Sequence, residues 1–290
     1  MARRGGEPSE RENGGAVELR AERLAKSFNG REVLREINLE VRRGEIVAIV
    51  GASGSGKTVL LDCLLRLLDV SGGKVLAADH GRRATPLIDI TGAPERVLQR
   101  IRLHWAVVFQ RNALFSGTVY DNIALLLREH FNMREAEIMR RARDSLAACS
   151  LDVDDVIRKD RDELSGGMAK RVAIARAIAI DPAVIFYDEP TTGLDPVVSG
   201  HIHELIWNMH HRPRAGGGQR TSVIVTHDKE LLRRIRPRVV MLHKGVIVFD
   251  DEYEMFGISP SAPAQEYLRE MPVLHGRRAQ GGEGPMSPRH

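Results

Sequence analysis

Ile46-Val47-Ala48-Ile49-Val50 runs directly into Gly51-Ala52-Ser53-Gly54-Ser55-Gly56-Lys57-Thr58, and leucines follow at positions 60, 61, 64, 65 and 68. Five consecutive apolar residues without polar alternation describe a strand buried on both faces, as in a parallel sheet. The leucines recur at helical spacing. The glycine-rich stretch between them fits GxxxxGK(S/T) in the context its chemistry requires. Glycines let the backbone curl so that N–H groups converge on phosphate oxygens at a helix N-terminus. Lys57 adds a point charge, and the Thr58 hydroxyl is placed to bind Mg²⁺. The unit predicts a nucleoside triphosphate held by Gly51, Ser53, Gly54, Ser55, Gly56, Lys57 and Thr58.

On either side of this unit the chain alternates strands and helices. Residues 17–28 and 33–41 alternate like strands, and residues 43–45 turn the chain into 46–50. The short apolar runs 183–187 and 221–226 flank a helical stretch over 197–211, which predicts a mostly parallel sheet. Residues 132–149 place Ile138, Ala142, Leu146 and Cys149 on one helical face behind a capping-box-like start at Asn132 and Glu135. This marks a separate helical lobe. Residues 212–220, with Pro213 and three consecutive glycines from Gly216, predict a flexible connection, and residues 238–250 a hairpin turning at Lys244-Gly245. A short helix over 265–271 has Tyr267 and Leu268 on one side. The two ends, 1–15 and about 276–290, are rich in Gly, Glu and Arg and read as disordered tails.

Composition excludes several classes. With 290 residues, 42% hydrophobic and 28% charged, the chain has material for one sizeable core or two small ones. Its formal net charge of +4 is too small to argue for a nucleic-acid partner. Cys63 and Cys149 lack any metal-ligand or disulfide spacing and sit among apolar residues, as small buried hydrophobes do. Asp62, Arg66, Arg176 and Asp181 interrupt every apolar run before it reaches the length of a membrane helix. Residues 1–15 carry no signal-like apolar region. A cytosolic chain, peripheral to any membrane, is the expectation. Among His201, His203, His210 and His211, the first two are two apart and cannot share a helix face, so the stretch reads as a solvated helix and no metal besides Mg²⁺ is expected. Arg3-Arg4 and Arg277-Arg278 read as solvated tail charges.

Two further motifs carry chemistry. The apolar run 183–187 ends in Asp188 and Glu189. Adjacent strand residues point opposite ways, so at a strand end one acid faces Mg²⁺ and the other the attacking water. Asp188 is assigned to the metal and Glu189 to the water. Leu164-Ser165-Gly166-Gly167-Met168 opens a helical run over 169–180 with Ser165 at its N-cap, which makes a second anion site. One chain with one phosphate loop has no need of two, and a dimer explains the excess.

In order and spacing, these segments together with Gln110, Gly193-Leu194-Asp195 and His227 resemble an ATP-binding cassette (ABC) ATPase over about residues 17–251. The resemblance implies an α/β P-loop NTPase of RecA-like type, with an antiparallel β subdomain and an α-helical subdomain. It places the cassette at 16–256, its helical subdomain at about 112–163, and a C-terminal extension at 257–290. It implies that Phe28 stacks on adenine, and that Gln110 approaches Mg²⁺ and the attacking water. His227 is then similar to the residue that contacts the γ-phosphate and holds Glu189, and Asp195 to one that communicates across the dimer. Two copies would face head to tail, each ATP lying between one phosphate loop and the partner's Ser165, Gly166 and Gly167.

Within the family, Met168-Ala169-Lys170-Arg171, residues 112–115, Asp121-Asn122-Ile123-Ala124 and Leu127-Arg128-Glu129-His130 resemble the Mla/Mce-type lipid-transport ATPases. This implies phospholipid as cargo, an integral membrane permease, an Mce-type lipid-binding subunit, a small regulatory subunit, and a place on the cytoplasmic face of the inner membrane. Asn112, where glycine is commoner, and a lengthened loop over 79–86 depart from the pattern. An amino-acid importer and a lipoprotein extruder are the alternatives within transporters, and Met168 with residues 128–130 argues against both. A soluble ABC ATPase acting on DNA or ribosomes usually has two cassettes or a long coiled coil, whereas only 54 residues separate Gln110 from Ser165.

Overall fold

The computed structural model describes residues 15–111 and 113–270. In chain order the elements are β1 (Val17–Phe28), β2 (Arg31–Arg42), β3 (Ile46–Val50), α1 (Lys57–Leu64), β4 (Gly72–Ala78), β5 (Leu87–Asp89), α2 (Glu95–Arg102) and β6 (Trp105–Val108). Then come α3 (Val119–Phe131), α4 (Glu135–Ala148), α5 (Val153–Val156), α6 (Gly166–Ala179), β7 (Val184–Asp188), α7 (Pro196–His211) and β8 (Thr221–Val225). The last described elements are α8 (Lys229–Ile235), β9 (Arg238–His243), β10 (Val246–Asp251), α9 (Tyr253–Gly257) and α10 (Ala262–Glu270). Asn112 and the tail residues 1–14 and 271–290 lie outside the described residues.

Two sheets organise the molecule: a four-stranded one in the order β2-β1-β4-β5, and a six-stranded one in the order β10-β9-β3-β8-β7-β6. The first is antiparallel throughout. In the second, β3, β6, β7, β8 and β9 run parallel and β10 joins antiparallel at the edge. β3, β7 and β8 lie in its interior, and every residue of them except Ile46 is buried, the polar Thr221, Ser222 and Asp188 included. One core cluster joins the sheet's β6–β7–β8 side to α3, α4, α6 and α7, and a second fills the space between the two sheets around α1. A third, smaller cluster brings Ala264 and Tyr267 of α10 against Ala48, Val50 and Met241. Cys63 and Cys149 are free and buried, and burial pushes the Cys63 thiol up to about 11.

Local chemistry redraws several boundaries. The helix after the phosphate loop stops at Leu64 rather than running to Leu68. Arg66 turns left-handed (φ 56°), the Leu67 and Leu68 N–H groups donate back to the Asp62 carbonyl, and Arg102 donates to the Leu65 and Arg66 carbonyls. Asn132 does not open α4. It ends α3 as a left-handed cap (φ 48°), a conformation asparagine tolerates, and Arg134 precedes α4 instead.

The histidine stretch also departs from expectation, because His203 and His210 share a buried face of α7 with Ile202, Ile206 and Met209. His203 Nε2 lies 2.7 Å from Asp228 and His210 Nδ1 lies 3.0 Å from the Ser222 hydroxyl, while burial pulls His210 down to about 3. Residues 212–220, expected to be flexible, are pinned. Arg220 is buried and donates to Asp181 and to the Arg212 and Met209 carbonyls, and Asp181 accepts from Ala215 N–H at 2.9 Å.

The lengthened loop over 79–86 closes on a fully buried carboxylate, Asp79, to which Arg100 donates from Nη2 (2.6 Å) and Nε (3.1 Å). Those bonds hold the Asp79 carboxyl below the usual carboxylate range. Such a group contributes stability that is present above the unfolded pKa and lost as pH falls through the lower folded one. Arg100→Met removes the main partner of the buried charge and leaves it only Arg82 Nε at 3.3 Å and the Gly81 N–H at 3.2 Å. Its loss of stability in urea unfolding should be large at pH 7 and shrink as the pH falls below the ordinary carboxylate range; a pH-independent difference would assign Arg100 a packing role only.

Candidate active site

β3 delivers the phosphate loop to the C-terminal edge of the six-stranded sheet, where ligands of open α/β sheets bind. The loop is seated on the β9–β10 hairpin. Gly51 sits at φ 148° with its Cα face so close to the Leu242 carbonyl that a Cβ would stand 2.2 Å from that oxygen, so no other residue fits. Gly245 N–H donates to the Ser55 carbonyl at 3.3 Å, and the hairpin turn itself, Lys244 (φ 47°) and Gly245 (φ 80°), has the paired left-handed residues of a type I′ turn. Gly56 (φ 105°) is the N-cap of α1 and supplies no side-chain cap, which leaves the first N–H groups of α1 to an incoming anion.

A cavity of about 690 Å³ opens here, lined by Val33, Gly51, Ala52, Ser53, Gly54, Gly56, Lys57, Thr58, Val59, Gln110, Glu189, His227 and Tyr267. Lys57 Nζ lies across the loop, donating to the Gly51 and Ala52 carbonyls at 2.8 and 3.1 Å. Burial lowers its affinity for the proton, opposed by Glu189 and Asp188. Glu189 follows β7 in a left-handed conformation (φ 46°), its own N–H tied to the Val225 carbonyl at 2.8 Å. Its Oε2 stands 2.7 Å from His227 Nδ1 and 3.4 Å from both His227 N–H and the Thr192 hydroxyl. The bond to Glu189 raises the His227 pKa. A carboxylate with one oxygen anchored on an imidazole and the other edge facing a phosphate cavity is placed to accept a proton from water.

Asp188, at the end of β7, is buried with Oδ1 lacking any hydrogen-bond partner among the described residues. Burial first, then Glu189, pushes its carboxyl above the usual range. An unpartnered buried carboxylate oxygen is costly unless a cation satisfies it. With the Thr58 hydroxyl and the Gln110 carboxamide, the donor set is all oxygen and fits a hard cation such as Mg²⁺.

The remaining residues assigned from sequence lie elsewhere in the chain. Ser165 caps α6, its hydroxyl accepting from Met168 N–H at 3.3 Å, and it is exposed together with Gly166. Gly167 packs under α7: a Cβ there would come within 2.8 Å of Val198. Asp195 caps α7 through Val197 and Val198 N–H at 3.0 Å and is exposed as well. Phe28, at the end of β1, is 41% exposed with Lys26 Nζ 4.8 Å from its ring centroid, outside the cavity lining. The cavity thus gathers the phosphate loop, Gln110, Glu189 and His227; Asp188, the buried residue before Glu189, is outside the lining, and Phe28, Ser165, Gly166, Gly167 and Asp195 stand apart from it.

Residues 34–192 match the family model described as ABC transporter. The chain belongs to the ABC transporter family. The cassette is 36% identical to the histidine transport ATP-binding protein HisP of Pseudomonas aeruginosa, over 87% of this chain and 96% of that protein. It is 32% identical to the Arabidopsis thaliana protein TRIGALACTOSYLDIACYLGLYCEROL 3, chloroplastic, over 88% of this chain and 74% of that one. Among solved structures, the dimeric bacterial ABC transporter cassette MJ0796 superposes with a TM-score of 0.68 at 28% identity, covering 81% of this chain and 98% of that one. A second MJ0796 structure was solved as a post-hydrolysis dimer with ADP and Pi. Membership makes this cassette an ATPase that uses ATP with Mg²⁺. Among the described residues no helix is long and apolar enough to cross a membrane.

Two residues of the site escaped the sequence reading. Tyr267 comes from α10, remote in sequence, and nothing local announces that it lines the cavity. Lys170 is 1% exposed in α6, and burial lowers its pKa to about 8. The signal for it was present: a cation at a position in register with the apolar face of Ala173, Ile174 and Ala177.

Proposed function

We propose that the cassette drives lipid transport of the Mla/Mce type, as a head-to-tail pair attached to an integral membrane permease on the cytoplasmic face of the inner membrane. The observation that carries the ATPase half of this reading is the Glu189–His227 pair, 2.7 Å apart at the mouth of the phosphate-loop cavity. Gly51 to Thr58 hold the triphosphate. Glu189 takes the proton of the attacking water, and His227 holds Glu189 while its ring lies at the γ-phosphate. Gln110 orients the water from the other side. Asp188, Thr58 and Gln110 would hold Mg²⁺, which neutralises charge developing on the transferred phosphoryl group.

Pairing accounts for the rest of the set. Exposed Ser165, Gly166 and Asp195 lie outside the cavity lining among the described residues, and a second copy brings them onto its partner's nucleotide, where Phe28 stacks on the adenine. The helical lobe of α3–α5 and the segment leading into it leave Leu125, Met139 and Phe115 exposed, the surface we assign to the permease. The cassette proper is assigned to 16–256, with α10 as the start of a C-terminal extension.

Lipid cargo rests on Met168-Ala169-Lys170-Arg171, on the residues of α3, and on the likeness to a plant protein named for a glycolipid. Amino-acid import is the second reading, favoured by the 36% identity to a histidine transport protein. Purifying the tagged chain from membranes and identifying what accompanies it decides between them. A permease with an Mce-type subunit and bound phospholipid is the expected result. A permease whose ATPase responds to histidine and not to phospholipid vesicles would establish the second reading, and ribosomes or DNA would remove both.

A further inference from the structure

The segment that leads from β6 to the helical lobe carries Gln110, and its backbone is gripped from one side. Lys170 Nζ donates to the Phe109 and Gln110 carbonyls, each at 2.9 Å. Arg176 Nη1 donates to the Ala113 carbonyl at 2.8 Å, and Arg161 Nη1 to the Leu114 carbonyl at 3.1 Å. Lys170 and Arg176 belong to α6, and Arg161 lies just ahead of Ser165. Beyond Val108 the segment has left the sheet ladder, so its carbonyls depend on these cations. Lys170 differs from the other two, being the one of the three that is fully buried, and its two bonds fall on the very residue whose side chain lines the cavity and on its neighbour.

We propose that Lys170 is a positioning residue: clamped on the Phe109 and Gln110 carbonyls, its ammonium sets where the Gln110 carboxamide stands over the phosphate loop and ties that placement to the helix headed by Ser165. The inference rests on the reading of Gln110 as the group that orients the attacking water. Its physical basis is that a side chain is only as well placed as its backbone. An ammonium with two carbonyl partners in a dry site fixes that backbone where water would leave it free. The mark Met168-Ala169-Lys170-Arg171 thereby acquires a mechanical role at its third position. Ser165, five residues upstream on the same helix, then moves with Gln110, so that the group facing one nucleotide and the group facing the partner's are carried by one body.

The test uses the full chain with three substitutions, Lys170→Met, Lys170→Arg and Gln110→Ala, and two readouts. These are steady-state ATP hydrolysis and hydrogen–deuterium exchange of the nucleotide-free protein. Lys170→Met keeps the stem and removes the donors. Its kcat should fall about 10- to 100-fold, as a displaced catalytic group does, with KM for ATP within about twofold. Exchange should accelerate in the peptide covering 107–116 and not over 46–64. Lys170→Arg keeps two donors and should stay within about threefold of the native kcat. If Lys170→Met melts below the assay temperature, Lys170→Gln replaces it with the same readouts. Unchanged exchange at 107–116 overturns the proposal, as does faster exchange with native kcat while Gln110→Ala is impaired. A native rate for Gln110→Ala itself overturns the reading of Gln110, which the exchange data on Lys170→Met do not depend on.

Discussion

Glu189→Gln should bind ATP as the native cassette does and hydrolyse it roughly 10²- to 10⁴-fold more slowly, the range expected on losing a general base. The replacement is nearly isosteric and keeps an oxygen for His227, whose Nδ1 stands 2.7 Å from Glu189 Oε2. It removes the negative charge and the ability to take a proton. The left-handed backbone at φ 46° and the tie from Glu189 N–H to the Val225 carbonyl do not involve the side chain, so the geometry survives. With hydrolysis stalled, ATP remains bound, and the protein should run as a closed dimer in size-exclusion chromatography with ATP and as a monomer without it. Near-normal steady-state turnover would remove Glu189 from the catalytic role. A second consequence concerns the imidazole: without its carboxylate partner, the His227 pKa should fall back toward its ordinary value, observable by NMR titration.

Lys57→Met should weaken ATP binding about 10²-fold or more, since a charge-assisted hydrogen bond contributes roughly 1.5–3 kcal/mol and the ammonium reaches more than one phosphate oxygen. Lys57 donates to the Gly51 and Ala52 carbonyls, which holds its ammonium at the loop. Methionine preserves the stem's packing. Fluorescent-nucleotide titration at fixed salt measures the loss, and because the ammonium acts on phosphate, ADP should lose less affinity than ATP. Equal losses for the two nucleotides would move Lys57 off the terminal phosphate.

How much of this was legible beforehand follows from the range of the interactions involved. The phosphate loop, β3 and the Asp188-Glu189 strand end are local: a buried strand must be apolar throughout, and a loop on which phosphate sits must be glycine-rich. They stand where the residues placed them. Failures came where distant partners decide. His203 and His210 are buried because Asp228 and Ser222, from other elements, satisfy them. Residues 212–220 are pinned because Arg220 finds Asp181. Helix ends were lost for a related reason, since the stop after Leu64 depends on Arg102 reaching back to the Leu65 and Arg66 carbonyls from α2. Tyr267 reaches the cavity only through the packing of α10 on Ala48, Val50 and Met241, which no local pattern encodes.

The seating of the phosphate loop on the β9–β10 hairpin has a consequence for entropy. Ordering a free loop would cost about 1–2 kcal/mol per residue at the moment of binding. With Gly51 wedged against the Leu242 carbonyl and Ser55 bonded to Gly245, that ordering is complete when the chain folds. The nucleotide meets a rigid cradle. Affinity then reflects contacts rather than loop closure, and whatever conformational freedom the cycle needs must lie outside the cradle.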